Sequence, residues 1–132
     1  MQTVQEKNKA VVRRFNEAFI INGDLQAFKE IVAPDFINHT GPVGNNDAAA
    51  TGDFIIKLLR PAFPDIQLEI FDMIAEDDKV VTHKAFTGTF SAPFMGQQPT
   101  GKKATLRIID IVQLKDEQYI AHWSIREITT TA

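Results

Sequence analysis

Hydrophobic positions change period once along this chain, from a helical spacing to a strand spacing just after Pro64. Over residues 4 to about 21, Val4, Val11, Val12, Phe15, Ala18, Phe19 and Ile20 recur on one helical face. Thr3 and Glu6 have the form of a capping box at its start, and Asn22-Gly23 supplies the glycine suited to its end. Asp24 is placed to cap a short second helix over 25 to 32 through Leu25, Phe28 and Ile31. Pro34 ends it, because the residue before a proline resists helical geometry. Phe36-Ile37-Asn38-His39 reads as a short extended piece, followed by a Gly/Pro/Asn loop over 40 to 46. Asn46 or Asp47 caps a third helix that buries Phe54, Ile55, Leu58, Leu59 and Ala62 and closes at Pro64.

Beyond Pro64 the alternation is two-fold. Ile66, Leu68 and Ile70, with Phe71 out of phase, begin a strand that runs to about residue 75. Glu76-Asp77-Asp78 turns it into a strand over 80 to 90, and a Pro/Gly loop follows over 91 to 101. A long strand over 104 to 114 turns at Lys115-Asp116-Glu117 into the last one, QYIAHWSIREI. Three helices followed by a four-strand antiparallel meander predict an α+β domain with the helices on one face of the sheet. Strands of ten or so residues curl, so the expected shape is a conical half-barrel, a container for a small apolar ligand.

The last strand decides where chemistry is sought. Strict alternation places Tyr119, Ala121, Trp123, Ile125 and Glu127 on one face and Ile120, His122, Ser124 and Arg126 on the other. If the Trp123 face points into the cone, Glu127 is a carboxylate on an apolar wall. Lost hydration there raises its pKa towards the range of a general base. The competing reading is an edge strand whose Glu127 reaches water.

At 132 residues the chain is expected to be one domain with room for one core. The formal charge of −3 gives no support to nucleic-acid binding. Without cysteine there is no disulfide framework and no thiolate metal site. No apolar run is long enough to span a membrane, and MQTVQEKNK lacks the apolar core of a signal peptide, so a cytoplasmic location is expected. Ten Phe against one Tyr and one Trp point to an aromatic core or cavity.

Several pieces, in order, resemble the SnoaL-like polyketide cyclases of the nuclear-transport-factor-like superfamily. They are NKAVVRRF from Asn8, Asn22-Gly23-Asp24-Leu25, Ala33-Pro34-Asp35-Phe36 with His39, and Ala62-Phe63-Pro64-Asp65. Further along come Ala75-Glu76-Asp77-Asp78, Thr87-Gly88-Thr89, Phe94-Met95-Gly96 with Pro99-Thr100-Gly101, and His122-Trp123 with an acid at 127. The resemblance implies a conical cavity, a homodimer, and an intramolecular aldol ring closure needing neither metal nor organic cofactor. It also implies an acid/base carboxylate on the last strand. The family motif has Asp four residues after the Trp where this chain has Glu127, one methylene longer, and Ala121 replaces its acid two before the Trp.

The function expected is therefore a lyase or isomerase acting on a small apolar or polyketide-like carbonyl compound, with Glu127 and His83 catalytic. The alternatives are a non-catalytic small-molecule binding module on the same cone, and an interaction protein using the sheet's outer face. Phe15, Phe19, Phe36, Asn38, His39, Phe63, Arg107 and Trp123 are the expected substrate-binding residues. His83 shares a strand face with the small Ala85 and Thr87. Arg107 and Asp110 lie three apart, so only one of them points inward unless a bulge intervenes. His39, His83 and His122 lack metal-ligand spacing.

Overall fold

The computed structural model describes residues 1–130. Helix α1 (Val4–Arg14) starts at the expected capping box: Thr3 Oγ1 accepts the Glu6 backbone N–H, and the Glu6 side chain answers to the Thr3 backbone. It continues in π form over Phe15–Ile21 and stops at Gly23, whose φ of 70° favours a residue without Cβ. Asp24 caps α2 (Leu25–Ile31) by accepting the Gln26 and Ala27 backbone N–H groups. Asp47 caps α3 (Ala48–Asp53), which continues in π form over Phe54–Leu59 and ends with the turn Arg60–Ala62. Arg60 Nη1 donates to the Ile20 and Ile21 carbonyls, so the third helix closes the open end of the first.

Four strands form the expected meander: β2 (Gln67–Glu76), β3 (Lys79–Thr89), β4 (Lys103–Lys115) and β5 (Gln118–Thr130). The extended piece before the 40–46 loop is a fifth strand, β1 (Val32–Asn38), which starts four residues earlier than the pattern indicates. It pairs parallel to β5, giving the sheet order β1-β5-β4-β3-β2. The mixed sheet is open. The helices pack on its inner face around a core led by Phe19, Phe36, Phe63, Phe86, Phe90 and Leu106, all essentially inaccessible. Burying a Phe side chain contributes about 3 kcal/mol, so this ring of aromatics is a main source of stability.

Two irregularities decide which side chains face inward. In β5, Tyr119 stands opposite Leu114 and Ala121 opposite Gln113, leaving Ile120 with no partner on β4. That extra residue is a β-bulge, and it reverses the alternation downstream. Tyr119 points in, and so do His122, Ser124 and Arg126. The expected inward set of Trp123, Ile125 and Glu127 therefore faces out. A similar irregularity between Ile70 and Asp72 in β2 leaves Phe71 half-exposed on the outer face.

Candidate functional site

The inner face of the sheet and the two π-helical stretches enclose a cavity of about 80 Å³ that opens to solvent at its mouth. Its walls are largely apolar, with Val12, Phe15, Phe36, Phe54, Phe86 and Leu106 prominent. Both π segments supply lining residues, Phe15, Asn16 and Ile20 from the first and Phe54, Ile55 and Leu59 from the second. A π-helical turn widens the helix locally, which is why such turns recur at sites.

One polar chain runs through this apolar wall. Lys84 on β3, 4% exposed, donates to Asp110 Oδ2 at 2.6 Å and to Asn16 Oδ1 at 2.6 Å. Asp110 Oδ1 lies 2.8 Å from His122 Nε2, and His122 Nδ1 lies 3.0 Å from Asn38 Oδ1. Adjacent strands make the cluster possible: Asp110 pairs with Thr82 on one side and Ser124 on the other, so Lys84 and His122 are each one inward position away.

The electrostatics follow from burial. Desolvation alone pushes the Asp110 carboxyl up. The Lys84 charge, with the bond and charge of His122, outweighs it and holds the carboxyl well below the usual carboxylate range. Asp110 is thus an anion. The Tyr119 phenol is pushed well up by burial, with the Asp110 charge adding to the effect, so it stays a neutral hydroxyl. The His122 ring is held at both nitrogens. Asn38 Oδ1 already accepts the Thr40 backbone N–H at 3.1 Å, so an oxygen faces His122 Nδ1. The other ring nitrogen faces a carboxylate.

The sequence-derived candidates divide between the two sides of the sheet. Phe15, Phe36 and Asn38 line the cavity. Phe19 and Phe63 are buried in the core behind it, Phe63 against Phe90 and Phe94. The remaining five lie outside. His39 stacks on Trp123 with ring centroids 4.8 Å apart, and Arg107 Nη2 reaches His83 Nε2 at 3.4 Å. Glu127 is exposed and sits directly across from Arg107. The expectation that Glu127, His83, Arg107 and Trp123 face the cone is corrected by the strand phases. Of the Arg107 and Asp110 pair, it is Asp110 that turns inward.

Lys84 and Asn16 were not among the candidates, and His122 was placed on the wrong side. The signal for Lys84 was available: Val80, Thr82, Lys84 and Phe86 form the more apolar face of β3, and a lone cation among them marks a buried partner. Among the described residues no three His, Asp or Glu side chains are grouped as metal ligands. No described helix is long and apolar enough to cross a membrane.

Comparison with known proteins places the architecture. Residues 10–131 match the family model described as SnoaL-like polyketide cyclase. Among solved structures, IdmH from Streptomyces antibioticus, named as a candidate polyketide cyclase, is 26% identical over 91% of each chain with a TM-score of 0.76. AclR from Streptomyces galilaeus, named as a candidate hydroxylase, is 26% identical over 93% of this chain and 90% of its own, with a TM-score of 0.77. TsrD from Streptomyces laurentii shares the fold at 20% identity and a TM-score of 0.82, over 96% of this chain and 92% of its own. No curated protein matches the sequence.

Proposed function

This chain belongs to the SnoaL-like polyketide cyclase family, and from that premise we propose that its cone is the active site of a cofactor-free lyase or isomerase acting on a small carbonyl compound. The observation that carries the reading is the Lys84–Asp110–His122 chain set into an otherwise apolar wall. Buried charges are costly to keep, and perturbed ionisable groups in a cleft mark sites of chemistry.

The division of labour follows from the contacts. His122 is the proton carrier. As the neutral ring it takes the proton from the carbon beside the substrate carbonyl on Nδ1, the nitrogen now turned to Asn38. The resulting enolate adds to a second carbonyl of the same molecule, and the imidazolium returns the proton to the new alkoxide oxygen. No atom is gained or lost. Asp110 stays ionised throughout, orients the ring and stabilises its charged form, the role a buried carboxylate plays beside a catalytic histidine. Lys84 holds Asp110 in place, and the Tyr119 hydroxyl on the cavity wall is a donor for developing oxyanion charge.

One observation favours a second reading, a binding module without turnover. In the resting network both Asp110 oxygens and both His122 nitrogens already have partners, so a substrate must displace Asn38 before proton transfer starts. The test is exchange of the α-protons of 2-tetralone in D₂O, followed by NMR. The proposal expects the protein to accelerate exchange and Asp110→Asn to slow it about 10²- to 10⁴-fold. A ketone that binds, by its shifts, but exchanges at the buffer rate establishes the binding module instead.

We further propose that a second copy covers the outer face of the sheet. Phe71, Ile109 and Ile125 are 47%, 51% and 80% exposed there. Arg107 and Glu127 lie among them, opposite in charge, which lets a two-fold axis pair the face with itself.

A further inference from the structure

The basic groups lining the cavity outnumber the acidic ones. Lys84, His122 and Arg126 face it against the single carboxylate of Asp110. Lys84 and His122 share that carboxylate. Arg126 does not: among the described residues it has no carboxylate within ion-pair distance, and its guanidinium lies 5.1 Å over the Phe54 ring. Burial lowers the pKa of Arg126, with the more distant Asp110 charge only partly restoring it. Thr51, one helical turn before Phe54, also lines the cavity, and its Oγ1 is buried with no hydrogen-bond partner. Ser124 lies between His122 and Arg126 on the inner face of β5. A half-buried fork of donors without an acceptor, beside an orphaned hydroxyl, is an incomplete site.

We infer that the compound the cavity takes is an anion, an apolar ring bearing a carboxylate or an equivalent charged oxygen group, whose charge is received by Arg126 with Thr51 and Ser124. This rests on the reading of the cone as the reaction site and names its substrate class. The spacing agrees with it. His122 and Arg126 are four strand residues apart, about 13 Å along β5, so a ring between them carries its reacting carbon at one end and its anion at the other. The extra positive charge also favours an enolate forming near His122, since charge developing in a desolvated pocket is felt strongly.

A matched pair of probes, 2-naphthoate and 2-naphthamide, separates charge from shape. Each is titrated into the ¹⁵N-labelled protein, reading the Thr51, Ser124 and Arg126 amides and the Arg126 Nε–H. Naphthoate is expected to saturate with shifts centred on these groups and to bind at least about tenfold more tightly than the amide, the advantage of one charge-assisted contact. Arg126→Gln should bring the two affinities together while the amide's own affinity holds, and its spectrum reports that the fold is kept. Equal affinities in the wild type, or a preference that survives Arg126→Gln, overturn the anion inference and leave the active-site reading standing. If neither probe shifts cavity residues, or both shift only the outer face, the reading of the cone as the site fails with it.

Discussion

Replacing Asp110 by Asn isolates the energetics of the buried chain. The side chain keeps its volume, and Lys84, 4% exposed, loses its counter-charge. The ammonium then has only neutral amide oxygens, that of Asn16 and the one left at position 110, as acceptors. Breaking a buried pair from one side costs about 3–5 kcal/mol, because the orphaned ion keeps its desolvation penalty. With an unfolding entropy of roughly 0.28 kcal/mol/K for 132 residues, the loss is a fall in Tm of roughly 10–18 °C. Lys84→Met removes the cation and restores an apolar contact of similar length. The double variant should therefore recover part of the loss, with a coupling of roughly 2 kcal/mol. Urea unfolding of the wild type, both single variants and the double variant supplies the cycle. A cost of Asp110→Asn below about 1 kcal/mol, or strict additivity, refutes the picture of a buried, mutually dependent ion pair.

Acid should unfold the protein through the same carboxylate. The folded pKa of Asp110 lies below its unfolded value of about 3.9. Its contribution is therefore complete above that value and lost as pH falls towards the folded pKa. Urea midpoints are expected to decline below about pH 4, and less steeply in Asp110→Asn; parallel slopes contradict this. Asp65 shifts in the same direction, chiefly through the Thr89 backbone N–H it accepts, and adds to the decline. On the outer face, Ile125→Arg, at a side chain 80% exposed, should leave the urea midpoint close to that of the wild type and convert a dimer to a monomer by light scattering. A wild type that is monomeric at micromolar concentration removes the second copy from the account.

The helices and turns were legible because their signals are local. Thr3, Asp24 and Asp47 each cap by bonding backbone two or three residues away. The strands were legible as elements but not as faces. A period of two carries no information about an inserted residue, and Ile120 looks like any other β-branched strand residue until its missing partner on β4 is known. That single insertion moved Glu127 and Trp123 out and His122 and Arg126 in. The parallel pairing of β1 with β5 was hidden for a related reason: it joins segments more than eighty residues apart, and parallel pairing leaves no turn signature. Asn38 was found because it sits in the piece next to the loop. Lys84 was missed because a charged residue in a strand is ordinarily on the wet side.

The central claim is that proton transfer belongs to the inward Asp110–His122 pair and not to the acid at 127. Exchange of 2-tetralone α-protons in D₂O, compared between Glu127→Gln and His122→Gln, tests it most directly. The account predicts that Glu127→Gln stays within about twofold of the wild type while His122→Gln falls to the buffer rate. Loss of exchange in Glu127→Gln with retention in His122→Gln contradicts it.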